Sequence, residues 1–153
     1  MSDRVVVIFG GRIAQIGGPT DIYERPETLE VARFVGQVNL IEGTVLSVAN
    51  GRAQVASVFG RVSLADRGMA RPGMRVLLAL RPESLSLAPA GGEGAAGTVT
   101  ARYYSGSLID YRVRLASGET IHVQTFPNTR CAEGETVTAQ AAADSLWLIG
   151  PAP

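Results

Sequence analysis

The chain has 153 residues, a mass of 16.1 kDa and 14 basic residues balanced by 14 acidic ones. That length holds one ordinary domain or two small ones and excludes a large multidomain enzyme. Zero net charge supplies no field for nucleic acid or an anionic membrane. All the basic residues are Arg, which removes P-loop, Schiff-base and Ser-Lys chemistry.

In chain order, Val5 to Phe9 is a β-branched run closed by Gly10-Gly11, and Arg12 to Ile16 is a second run closed by Gly17-Gly18-Pro19. A two-residue Gly-Gly hairpin follows from this spacing. Val5 to Ile8 is apolar at consecutive positions, the pattern of a strand covered on both faces. Thr20 to Arg25 reads as a helical turn capped by Thr20 and stopped by Pro26. Glu27 to Val35 is a second short helix that brings Leu29, Ala32, Phe34 and Val35 together, with Gly36 as its stop.

From Asn39 the texture becomes short alternating strands separated by Gly, Asn and Pro turns, the pattern of a small β-barrel or sandwich. Strands are expected at Ile41–Ala49, Arg52–Val58, Gly60–Leu64, Met74–Leu80, Leu85–Leu87, Gly97–Tyr104, Leu108–Leu115, Thr120–Gln124, Thr136–Gln140 and Leu146–Ile149, with Asn50-Gly51 the strongest turn signal. Pro89 to Gly94 is a flexible connection. It separates two segments that look like copies. Glu42-Gly43-Thr44-Val45 opens one and Ala96-Gly97-Thr98-Val99 the other, and Gly73, Val76, Ser84, Leu85 and Leu87 recur as Gly134, Val137, Ser145, Leu146 and Leu148 at one constant offset. Two related β units account for this, with burial of Leu85, Leu87, Leu146 and Leu148 in equivalent places as the consequence. The competing explanation is chance recurrence of short patterns in a β-rich chain.

Chemical motifs are few. Gly-x-x-x-x-Gly-Lys-Ser/Thr, Gly-x-Gly-x-x-Gly and Gly-x-Ser-x-Gly are all missing, so no catalytic, cofactor-binding or metal-binding residue is assigned. His122 sits on the opposite strand face from Ile121 and Val123, which predicts a solvent-facing position. Cys131 is the one thiol, in a loop where a lowered pKa is conceivable but no motif supports it; the roles of both residues stay open. One Cys and one His cannot build a disulfide framework or a zinc cluster within the chain. No apolar run reaches the length of a membrane span, and the start lacks a signal-peptide pattern, so the expected location is cytoplasmic. Arg81-Pro82-Glu83, directly after an apolar strand, is the most unusual polar triplet; the second copy has Ala142-Ala143-Asp144 there. Two readings of it stand: a specific contact, or a surface turn carrying a charge pair of little energy.

Asp3 to Val7, Gly11 to Gly17 and Pro19 to Pro26 together resemble the closing segment of the ATPase domain in bacterial ABC importers. Ala32-Arg33-Phe34-Val35-Gly36 with Asn39 is similar to the joint leading into their C-terminal regulatory region. Arg81-Pro82-Glu83, Tyr104-Ser105-Gly106, Tyr111-Arg112-Val113 and Gly118 resemble the transport-associated OB (TOBE) domain that follows. The resemblance spans nearly the whole chain, in order, and points to the polyamine, iron(III) or related class.

The resemblance implies a mainly β, OB-like TOBE barrel of two related β units. Residues 1–36 would be the tail of an ATPase domain, a hairpin plus short helices, and residues 37–153 the regulatory β domain. Walker motifs, signature motif and switch histidine would lie upstream, so the chain would be non-catalytic while the parent subunit binds ATP and Mg. The implied role is regulation and dimerisation in a subunit peripheral to the inner face of the cell membrane. Its partners would be a second copy, the membrane permease subunits and a small-molecule effector, with no nucleic acid. Arg81, Pro82 and Glu83 are the candidate regulatory contact, between barrels or with the ATPase half of the partner. The alternative is a small-ligand or oxyanion-binding β-barrel. An oligonucleotide-binding barrel has only the OB name behind it, and nine aromatic residues are few for a stacking groove.

Overall fold

The computed structural model describes residues 4–128, 130–142 and 144–153; Asp3 of the ATPase-like segment and Ala143 of the Ala142-Ala143-Asp144 triplet lie outside the described residues. Strands β1 (Val5–Phe9) and β2 (Arg12–Gly17) form an antiparallel hairpin. Gly10 and Gly11 turn it with φ of 55° and 76°, a conformation that glycine adopts without a side-chain clash. Val7 is buried beneath the two helices with Ile22 and Val31, whereas Val6, Ile8, Ile13 and Ile16 are exposed on the other face. Of the two-sided cover suggested by the apolar run, only one side is present.

Helix α1 (Pro19–Glu24) starts one residue earlier than expected. Gly18 is its N-cap and Thr20 lies inside it, so Thr20 does not cap; Pro19 takes the first turn, where a missing N–H costs nothing. Helix α2 (Leu29–Val35) starts two residues later than expected because the Thr28 hydroxyl accepts from Val31 N at 3.2 Å. Phe34, grouped with the packing face from its spacing, is 69% exposed and meets Phe9 edge-on at 5.3 Å between centroids.

The remaining strands are β3 (Asn39–Ala49), β4 (Arg52–Ser57), β5 (Gly60–Ala65), β6 (Arg75–Leu80), β7 (Leu85–Pro89), β8 (Ala95–Ser105), β9 (Leu108–Leu115), β10 (Thr120–Thr125), β11 (Thr136–Ala141) and β12 (Trp147–Pro151). A 3-10 turn, Pro82–Ser84, joins β6 to β7. Two five-stranded sheets result, ordered β12-β6-β3-β4-β5 and β10-β9-β8-β11-β7. Each copy therefore gives its last strand to the sheet of the other: β7 pairs with β11, and β12 with β6.

The repetition holds at the level of single bonds. Val45 N donates to Met74 O and Gly73 N to Val45 O, at 2.9 and 2.8 Å; in the second copy Val99 N donates to Glu135 O and Gly134 N to Val99 O, at 3.0 and 2.7 Å. Bulges fall at Val45/Ser47 and Val99/Ala101. Leu85, Leu87, Leu146 and Leu148 are all buried in the one main core between the sheets.

The copies differ on their outer faces. Leu40, Leu77, Ala79, Trp147 and Ile149 on the β12-β6-β3 face pack with Ala32 of α2. At the constant offset, Leu77 and Ala79 become Thr138 and Gln140, and Trp147 and Ile149 become Ser86 and Ala88. Only the face that receives the helix is strongly apolar, so burial of that surface drives docking of the N-terminal segment.

Candidate functional site

Arg81 directly follows β6, between that strand and the 3-10 turn, and it is 7% exposed. Its guanidinium donates to four backbone carbonyls: Nε and Nη2 to Tyr23 O at 3.2 and 2.8 Å, and Nη1 to Ala32, Gly36 and Gln37 O at 3.0, 3.3 and 2.9 Å. Those of Tyr23, Ala32 and Gly36 are carbonyls that helix ends leave without partners, and that of Gln37 follows directly, so one side chain caps α1 and α2 together. Its planar group also lies 4.2 Å from the Tyr23 ring centroid, a cation–π contact. Burial pushes the Arg81 pKa down from its ordinary value, while Tyr23 and Glu83 act in the opposite sense.

Pro82 is buried and opens the 3-10 turn, which sets the direction of Glu83. The Tyr23 hydroxyl donates to the Glu83 carboxylate. Burial first, then this bond and the Glu83 charge, raise the Tyr23 pKa to about 12. The folded chain thus holds the phenolic proton more tightly than the unfolded chain, where tyrosine ionises near ~10. The stabilisation is complete below about pH 10 and is lost as pH rises towards about 12. Urea midpoints measured from pH 8 to 11.5 should fall more steeply above pH 10 for the wild type than for Tyr23→Phe; parallel curves would show that this proton is not linked to folding.

Gly36 does end α2, through close approach: a Cβ there would stand 3.2 Å from Tyr23 Cε2 and 3.8 Å from Arg81 Nη1. Around this centre, Trp147 Nε1 donates to Pro26 O at 2.8 Å, Gln15 bridges Arg25 O and Glu27 N, and Arg67 lies 4.8 Å from the Trp147 ring centroid. Asn39 joins the joint to the second sheet: its Nδ2 donates to His122 O at 2.7 Å and its Oδ1 accepts from His122 N at 2.8 Å.

The triplet Arg81-Pro82-Glu83 stands out in the sequence, and so does Gly36 as a helix stop, but nothing in the sequence pairs Arg81 with the carbonyls of Tyr23, Ala32, Gly36 and Gln37 or Glu83 with the Tyr23 hydroxyl. These partners are backbone carbonyls and one hydroxyl, 44 to 60 positions away in the chain, for which no local spacing exists. All the bonds named for Arg81 stay within this chain. His122 is half-buried, not solvent-facing. Burial and the Arg112 charge lower its pKa, against Asp110. Cys131 is buried, and burial followed by a hydrogen bond to Glu135 raises its pKa, the reverse of an activated thiol. Among the described residues no three His, Cys, Asp or Glu come together as a metal site, and no helix is long and apolar enough to cross a membrane.

Residues 78–149 match the family model described as TOBE domain. The spermidine/putrescine import ATP-binding protein PotA 1 of Pseudomonas aeruginosa is 40% identical over 153 residues, covering 97% of this chain and 41% of that protein. Its namesake PotA in Oleidesulfovibrio alaskensis is 42% identical over 122 residues, 76% of this chain and 33% of that protein. PotA of Escherichia coli (strain K12) is 36% identical over 133 residues, 84% and 35% respectively. The chain thus spans 41% or less of the length of these relatives. Among solved structures, the cytoplasmic molybdate-binding protein ModG with molybdate bound superposes with a TM-score of 0.62 at 16% identity, over 74% of this chain and 96% of that one, which shows a shared fold.

Proposed function

Because this chain carries a TOBE domain and is homologous along 97% of its length to part of a spermidine/putrescine import ATP-binding protein, we propose that it is the regulatory module of an importer ATP-binding subunit. In this reading residues 1–36 are the end of the ATPase domain, residues 37–153 the regulatory β domain, and Arg81-Pro82-Glu83 the contact that couples them. The observation that carries the reading is the Arg81 cluster. One buried guanidinium holds the ends of both helices and the strand β6, so movement of one side must be transmitted or must break several charge-assisted bonds at once.

The module itself is non-catalytic, and ATP and Mg belong to the parent subunit. Association of two copies through their barrels would raise the effective concentration of the attached ATPase halves, and the permease subunits would be reached through those halves. The exposed Val6, Ile8, Ile13 and Ile16 face suits burial against the rest of such a subunit.

In a full-length subunit, Arg81→Ala should retain basal ATP hydrolysis and lose most of the uptake coupled to it. Unchanged uptake would dismiss the coupling role. A small-ligand barrel is the second reading, favoured by the shared fold with ModG; tight calorimetric binding of molybdate, sulfate, iron(III) complexes or polyamines by this chain would support it.

A further inference from the structure

The two copies provide an internal control for one position on the sheet edges. Strands β5 and β10 are the outer strands of their sheets. Ser63 faces Gln54 across the β4–β5 ladder, and His122 faces Arg112 across β9–β10. The two are equivalent, each one residue beyond a matched pair, Val62 with Val55 and Ile121 with Val113. In an antiparallel ladder alternate residues turn their N–H and C=O away from the neighbouring strand. His122 is such a residue, because both its groups go to the Asn39 carboxamide; Ser63 is its counterpart. A carboxamide presents an N–H donor beside a carbonyl acceptor and so fits an outward-facing peptide unit.

In the other copy the place of Asn39 falls to Glu93, and among the described residues no side-chain amide bonds Ser63. Instead Arg52 Nη2 donates to Ser63 O at 2.8 Å and Arg52 Nε to Ser63 Oγ at 2.9 Å. Two adjoining clefts of about 730 and 500 Å³ open there, both lined by Arg52, Ser63, Asp144 and Leu146. The groups that Ser63 and Arg52 have left for these clefts are donors, the Ser63 N–H, the Ser63 hydroxyl proton and the Nη1 side of the Arg52 fork, while Asp144 lines both clefts and Glu93 the smaller one. An added peptide strand would also need the Ser63 carbonyl, which Arg52 occupies. A carboxylate needs donors alone, and a guanidinium beside a backbone N–H matches its geometry.

We propose that this edge of the barrel binds the carboxylate of a small molecule at Ser63 and Arg52, in the position that the Asn39 amide fills in the other copy. Glu93 lines the smaller cleft and sits on a loop where Gly91, Gly92 and Gly94 have φ of 93°, 114° and 131°. It is the chain's own competitor for the same donors, and with Asp144 it limits affinity by like-charge repulsion. The inference is independent of the coupling role of Arg81 and stands or falls without it.

The test is an NMR titration of the isotopically labelled chain with sodium acetate, against sodium chloride at matched ionic strength. Acetate should shift the Ser63 amide and the Arg52 Nε–H saturably. Arg52→Gln should weaken the response about tenfold, the scale of one charge-assisted bond, and Glu93→Gln should strengthen it. A response that does not saturate, that chloride reproduces, or that survives Arg52→Gln unchanged overturns the proposal.

Discussion

Arg81→Ala is expected to destabilise the chain by about 3 kcal/mol, because the carbonyls of Tyr23, Ala32, Gly36 and Gln37 lose their charged donor together, that of Ala32 in a buried position. For a chain of this size that is roughly a 10 °C fall in Tm. Trp147, the one tryptophan, reports the event locally, since its Nε1 is bonded to Pro26 O beside the same joint: its emission should move to the red as the helical segment loosens. Arg81→Lys keeps the charge but not the planar fork that spans Tyr23, Ala32, Gly36 and Gln37 carbonyls, so it should recover less than half of the loss. Wild-type stability in Arg81→Ala would show that the helical segment is held by its apolar contacts with Ala79 and Ile149 and that the guanidinium adds nothing.

Gly97→Ala should cost a similar amount, about 3 kcal/mol, for a different reason. A Cβ at Gly97 would stand 2.8 Å from Arg114 O and 2.8 Å from Val113 Cγ1, so the β8–β9 ladder itself must open. At the equivalent Gly43 the nearest atom, at 2.5 Å, is Val55 Cγ1, and the backbone oxygen of Ala56 is 3.1 Å away. A side chain relocates more cheaply than a ladder carbonyl, so Gly43→Ala should be the milder of the pair. Denaturant unfolding of the two variants checks the order, and the reverse ranking would mean that the backbone contact is not the source of the cost.

Much of the fold is legible in the chain because its signals are local. Gly10-Gly11 and Asn50-Gly51 carry the turns they announce, with positive φ at all four residues, and the alternation in β4, β9 and β10 sets which side chains enter the core. The duplicated Gly, Val and Leu positions mark two units whose bulges and cross-strand bonds repeat. Of the candidate site, the triplet Arg81-Pro82-Glu83 is visible as an odd polar sequence at the end of an apolar strand.

The amino-acid sequence by itself determined the strands, the turns, the duplication and the lack of any nucleotide-binding motif, since each depends on residues a few positions apart or on composition. Only the tertiary structure decided that the copies exchange β7 and β12, that Arg81 caps two helix ends, and that Asn39 closes one sheet edge while Arg52 leaves the other open to a cleft. The physical reason is the same for all three. Backbone N–H and C=O groups are identical at every residue, so which of them is left over at a helix end or a sheet edge, and which distant side chain reaches it, is settled only when the chain has packed.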